Sequence, residues 1–441
     1  MKSFNHTVSD LGGFRSRLIQ YCRRFDDSII LDSIYDRCVP TGKERNFKLM
    51  AGFGSMKCFS VDSVSWKDLD AFLNDHLTAG RHVLGYLTYD VKNRIENLTS
   101  ENPDRIGFPE MFFMVPEVLI TIADGALVVR SASSDPEKIF NEIQEESTGS
   151  ETTGNRLELK PTISRQRYLE RIKVLQEHIQ RGDIYEVNFC HEFYNDHAHI
   201  NAYDTYSRLG NSSPNPFGCF VKHQGRFLLC ASPERFLKKS SGVLTSQPMK
   251  GTMPRHEDPA LDERSRSALE SSEKDRAENV MIVDLTRNDL SRIAKPASVK
   301  VPELFKVHSF PHVHQMISTV QCDVRDGATI SDILRSTFPM GSMTGAPKVR
   351  AMQLIDEHEP MKRGIFSGTV GYFSPDGDFD LNVVIRSIMY AEDTHALSVM
   401  AGGAITSMSD PEQEYHESIL KMKPLFAALG FTFDPAEGEY A

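Results

Sequence analysis

Glu414, Glu417 and Lys421 recur at spacings of three and four residues. On a helix this puts all three on one face, with Glu417 to Lys421 in the favourable direction for an ion pair. Grouped carboxylates are candidates for metal or acid–base work, yet spacing alone fits a solvated, salt-bridged face better. Glu278 sits in the charged run EKDRAENVMIVDLTRNDL, and alone it identifies nothing. Gly341–Lys348, GSMTGAPK, has the look of a phosphate loop but fails the template. Its glycines are four apart, Ala-Pro separates Gly345 from Lys348, and no Ser or Thr follows the lysine. A turn into a helix remains, whose exposed N–H groups could receive a carboxylate.

These residues need elements to hold them. Tyr168, Ile172, Leu175 and Ile179 share one helical face, and Gly182 stands at a C-cap position. Tyr185, Val187 and Phe189 alternate as in a strand over 183–189. Further strands are predicted over 83–89, 113–122, 126–129, 226–230, 368–373, 381–389 and 396–401. Helices are predicted over 277–293, 348–356 and 411–428. The irregular order of strands and helices predicts an α+β fold. Ser147–Gly154, STGSETTG, has no apolar anchor and is a candidate linker. It divides an N-terminal part, 1–155, from a C-terminal part, 156–441.

The chain has 441 residues, enough for two or three domain-sized units. Its 61 acidic and 50 basic residues leave a net charge of −11. That argues against bulk nucleic-acid binding, which needs a basic surface. The seven cysteines are scattered with no Cys-x-x-Cys pair, so neither a zinc site nor a disulfide framework is expected. The opening MKSFNHTVSD lacks the apolar core of a secretory signal, and no run approaches the ~18 apolar residues of a membrane span. A cytoplasmic protein without membrane contact is expected.

Several segments, in order, resemble the chorismate-utilising enzymes, which include anthranilate, aminodeoxychorismate, isochorismate and salicylate synthases. They are GDIYEVNF (182–189), SPERFL (232–237), PMKGTMPR (248–255), DRAENVMIVDLTRNDL (275–290) and FPMGSMTGAPKVRAM (338–352). The last stretch runs from SGTVGYF (367–373) through NVVIRS (382–387) to AGGAITSMSDPEQEYHESILK (401–421). GYLTYDVKN (85–93) extends the likeness, more weakly, into the N-terminal part. The resemblance implies two large antiparallel sheets with helices packed between and around them.

It also implies a site. Glu278 and Glu417 would ligate one Mg²⁺ bridging to the ring carboxylate of chorismate, with Glu414 close by. This hard ion prefers oxygen donors and keeps several waters. Arg386, Tyr372 and Lys421 would hold substrate carboxylates. Thr344, Gly345, Gly402 and Thr252 would line the same pocket. Glu234 would be the general acid that helps the carbon 4 hydroxyl leave.

Pro248-Met249-Lys250-Gly251-Thr252 resembles the aminodeoxychorismate-forming members, where this lysine is a covalent nucleophile. Lys250 would add at carbon 2 as the hydroxyl departs, and ammonia would then add at carbon 4 and expel it. To attack, it must be neutral, and its ordinary pKa of about 10.4 must fall. Nearby Mg²⁺ and Arg386 are expected to lower it. Ammonia would come from a separate glutamine amidotransferase subunit, since no such module is recognisable in the chain. The alternatives are an anthranilate synthase component I, or an isochorismate-type synthase using Lys250 to activate water. One departure stands out. Gln315 occupies the position where most members carry histidine, and His314, one residue earlier, would point the opposite way on a strand.

Overall fold

A computed structural model describes residues 1–33, 47–61, 65–148, 157–310, 313–431 and 433. Most of the candidate linker at Ser147–Gly154 lies outside them. The apolar, β-branched and aromatic runs form twenty strands among the described residues, and every pairing is antiparallel. Helices cover them, so the fold is α+β.

The long strand Met111–Ala123 is the key to the architecture. Along one edge it pairs with Leu49–Val61 for its whole length. Its other edge is divided between Val83–Leu87 and Ala126–Ser131. Two sheets therefore grow from one strand. The first sheet continues through Leu49–Val61, Asp27–Asp32, Gly218–His223, Arg226–Cys230, Ser387–Ala391 and Ala396–Ile405 to Glu186–Asn195. The second runs from Val83–Leu87 through Thr369–Phe373, Phe379–Asn382, Arg235–Ser240 and Val243–Ser246 to Val313–Asp323. Met249–Pro254 and Lys300–Ser309 flank that last strand. Strands from before and after residue 155 pair directly in both sheets, so their hydrogen bonding crosses the proposed boundary.

Two apolar cores follow. One lies on the facing surfaces of the two sheets, around Phe112, Cys190, Leu228, Leu290 and Val370. The other covers the outer face of the first sheet with the helices Leu11–Tyr21, Arg165–Arg181 and Pro411–Leu429. The helix predicted before Gly182 buries Tyr168, Ile172 and Leu175, and Gly182 closes it with φ 82°. Sandwiched this way, strand Glu186–Asn195 is buried on both faces, which is why its first eight residues show no alternation of exposure.

One predicted strand is interrupted. Residues 381–389 divide into Phe379–Asn382 in the second sheet and Ser387–Ala391 in the first, with Val383–Arg386 crossing between them. Ala231–Glu234 makes a second crossing, from Arg226–Cys230 to Arg235–Ser240. The two crossings are tied together: Ala231 N donates to Arg386 O at 3.0 Å and Val383 N to Glu234 O at 3.0 Å. No described helix is long and apolar enough to cross a membrane.

Candidate active site

The space between the sheets holds a cavity of about 500 Å³. Its wall includes Glu234, Lys250, Thr252, Glu278, Gln315, Arg386, Gly402, Glu414, Glu417 and Lys421. The two sheets supply them from opposite sides. Lys250 and Thr252 come from a strand of the second sheet, and Glu278 from helix Glu273–Ser291 packed on that sheet. Glu414, Glu417 and Lys421 come from helix Pro411–Leu429, which packs on the first sheet's strand Ala396–Ile405. Glu234 and Arg386 sit on the paired crossings.

Lys250 reaches the cavity through a break in register. Between Lys250 and Thr252 the pairing with Val313–Asp323 slips by one residue, and Gly251 adopts φ 80°. A Cβ at Gly251 would stand 2.8 Å from both Asp275 Oδ1 and Leu269 Cδ1. The bulge thus needs a left-handed residue with no side chain.

Lys250 Nζ donates to Glu186 Oε1 at 3.0 Å. Glu186 is only 1% exposed, and its Oε2 is buried with no hydrogen-bond partner. Burial would lower the pKa of Lys250, but the carboxylates of Glu186, Glu278 and Glu234 outweigh it and hold the ammonium well above its ordinary value. Among the protein's own groups, carboxylates therefore set the charge on Lys250, against the expectation that Arg386 would lower its pKa. Arg386 is not among the main influences on it.

Glu234 is the opposite case. Burial pushes its carboxyl up to about 7, opposed by a hydrogen bond from Ser342 Oγ at 2.8 Å and by the charge of Lys250. It can therefore carry a proton near neutrality. Glu278 is likewise pushed up to about 7, by burial and by the charges of Glu186 and Glu414, against the pull of Lys250 and Lys274. Glu417 lies below the usual range because Lys421 pairs with it at 2.8 Å. Lys421 also donates to Gly402 O at 2.8 Å, so one ammonium ties the helix to the strand beneath it. Glu414 is buried, accepting from Ser409 Oγ at 2.8 Å and Lys274 Nζ at 3.2 Å.

Arg386 has a backbone in the left-handed region, φ 53°. Such strain in a non-glycine residue persists only where the surroundings impose it. Here the imposing element is the crossing between sheets. Its guanidinium makes no hydrogen bond or ion pair to another side chain among the described residues, leaving its planar fork open to a carboxylate.

Three predicted residues stand off the wall. Tyr372 lies in the core between the sheets, its ring 5.2 Å from that of Phe47, and the aromatic facing the cavity nearby is Phe366. Thr344 is fully buried, its carbonyl accepting from Asn188 N at 2.7 Å. A Cβ at Gly345 would collide with the Glu186 carbonyl, so this glycine lets the strand bearing Glu186 lie close. Ser342 and Met343 face the cavity in place of these two. Lys348 is structural, pairing with Asp289 at 2.6 Å. His314 points away to Ser309 and Asp262, while Gln315 lines the cavity.

Glu186, Asn188 and Lys274 carried no assigned role in the sequence. Glu186 and Asn188 stand at i and i+2 of a doubly buried strand, and a charged residue in such a strand is the signal that could have marked the site. Among the described residues, no three His, Cys, Asp or Glu side chains form a metal-ligating group. Glu278 and Glu417 nevertheless offer oxygen donors to one cavity, with the buried Glu414 carboxylate beside them. Those donors fit a magnesium ion that keeps most of its water and takes one or two carboxylates from the protein.

A sequence model of a family described as chorismate binding enzyme matches residues 36–427. The chain is 35% identical over 366 residues to aminodeoxychorismate synthase component 1 of Escherichia coli (strain K12), covering 81% of this chain and 78% of that protein. It is 33% identical over 358 residues to anthranilate synthase component 1 of Thermus thermophilus, covering 79% and 77%. Among solved structures, anthranilate synthase component I from Streptococcus pneumoniae TIGR4 superposes with a TM-score of 0.75 at 25% identity, covering 88% and 93% of the two chains.

Proposed function

This chain belongs to the family of chorismate binding enzymes, and from that premise we propose that it aminates chorismate at carbon 4, giving 4-amino-4-deoxychorismate. The observation that carries this reading is Lys250 facing the same cavity as a Glu234 poised to be protonated near neutrality. The Escherichia coli relative, 35% identical, bears the name of that reaction and supports it.

Arg386 and Lys421 hold the substrate carboxylates from two sides of the cavity. Glu278 and Glu417 hold the magnesium ion, which when bound supplies positive charge to the ring carboxylate. Lys250 starts as an ammonium paired with Glu186. Glu186 is the carboxylate placed to take its proton, through the bond at 3.0 Å. The freed amine adds to carbon 2, the ring double bonds shift, and the carbon 4 hydroxyl leaves as water with a proton from Glu234. Ammonia then adds at carbon 4, the double bonds shift back, and Lys250 is released. Chorismate and ammonia become the amino product and one water. A separate glutamine amidotransferase supplies the ammonia.

Incubating the pure chain with chorismate, Mg²⁺ and ammonium, with products separated by chromatography and mass spectrometry, tests this. The expected product is 4-amino-4-deoxychorismate. Fluorescent anthranilate would overturn the reading in favour of addition at carbon 2 with pyruvate loss. Isochorismate would overturn it in favour of water activation by Lys250.

A further inference from the structure

Lys274 stands at the second position of helix Glu273–Ser291, one turn before Glu278. Its Nζ lies 3.2 Å from Glu414 Oε1 and 3.9 Å from Glu278 Oε1. Glu414 belongs to helix Pro411–Leu429, on the other sheet's side of the cleft. The ammonium therefore spans the cavity mouth between the two carboxylate-bearing helices. Glu414 is 3% exposed, whereas the Lys274 side chain is 41% exposed and ends a flexible stem. The carboxylate is fixed and the cation can leave.

Charge counting gives this contact a meaning. When all are ionised, Glu278, Glu414 and Glu417 carry three negative charges, and Lys274 and Lys421 carry two positive ones. Lys421 is pinned by Glu417 and by the Gly402 carbonyl. A divalent cation held by Glu278 and Glu417 would add its charge to a field that Lys274 already partly neutralises at Glu278 and Glu414. The two cations compete for the same negative field.

We propose that Lys274 is an internal competitor of the metal ion, an ammonium that clasps Glu414 and Glu278 across the cleft and must swing out for the ion to be held. This rests on the reading that Glu278 and Glu417 hold magnesium. Each entering ion then works against the lysine's own attraction to the site. The free protein binds metal weakly, and substrate carboxylate, arriving with its own negative charge, tightens the hold.

Titrating the full-length protein with Mn²⁺, with free ion read by electron paramagnetic resonance and no chorismate present, tests the proposal directly. Lys274→Gln should lower the Mn²⁺ dissociation constant by about fivefold or more. Lys274→Arg, which keeps the charge, should stay near wild type. Unchanged or weaker binding in Lys274→Gln, with wild-type binding abolished by Glu278→Gln, would overturn the competitor role and leave the metal assignment standing. Absence of binding in both the wild type and Lys274→Gln, or binding indifferent to Glu278→Gln, would overturn both.

Discussion

The pH dependence of the first chemical step should be set on its alkaline side by Glu234. The group acts in its protonated form. Its folded-state pKa is raised to about 7, so the active form predominates below that value and is lost as pH rises through it. At pH 8 roughly one-tenth of the molecules retain the proton, and at pH 9 roughly one-hundredth. The kcat/KM for chorismate, measured at constant free ammonia, should fall tenfold per unit above pH 7. Ser342→Ala removes the 2.8 Å hydrogen bond that favours the carboxylate. A hydrogen bond to a charged group is worth about 1.5–3 kcal/mol, and one pKa unit is about 1.4 kcal/mol. The alkaline limb should therefore move up by about one unit or more in this variant. Glu234→Gln should lose the limb altogether, with a rate loss of about 10² to 10⁴. An unaltered limb in Glu234→Gln would refute the assignment of the acid. A downward shift in Ser342→Ala would refute the reasoning about what tunes it.

Other consequences can be checked independently. Lys250→Ala should abolish amination at carbon 4, and intact-protein mass spectrometry of the wild type with chorismate but no ammonia should show an adduct of chorismate minus water that the variant lacks. Gly251→Ala should lower the urea midpoint by an amount equivalent to about 1–3 kcal/mol, because φ 80° and the nearby Asp275 and Leu269 both oppose a side chain. Arg363 and Glu359 are both nearly inaccessible, paired at 2.6 Å, with Arg363 also donating to Met343 O and Asn188 O. Arg363→Met should cost about 3–5 kcal/mol by leaving Glu359 buried and unpaired. No loss of thermal or urea stability in that variant would show the network to be dispensable.

Much of this architecture is legible in the sequence where a local rule is strict. The helix before Gly182 needs only a 3.6-residue period and a left-handed cap. The divergence of His314 and Gln315 follows from the two-residue period of a strand, which cannot turn neighbours to the same side. Arg386 was harder. Val383, Val384 and Ile385 are apolar and β-branched, so local preference predicts an unbroken strand, and only the need to pass from one sheet to the other breaks it. Tyr372 shows the same limit, because its strand lies between two others and its ring is claimed by the core. The protonation of Lys250 was out of reach for a different reason. Its controlling partner, Glu186, lies 64 residues away in sequence, on the opposite sheet.

The tied crossings have a mechanical corollary. Glu234 and Arg386 sit on two crossings fastened together by backbone bonds, Ala231 to Arg386 and Val383 to Glu234, so they lie at the pivot. Glu278 and Glu417 ride outward on separate leaves, as do Lys250 and Glu186. A small change in the dihedral between the leaves would leave the acid-to-guanidinium spacing intact while widening or narrowing the other two spans. Substitutions far from the cavity that alter this dihedral, such as at the irregularity between Ser55 and Lys57 in the sheet strand Leu49–Val61, should therefore change metal affinity and lysine reactivity together and spare the proton donor.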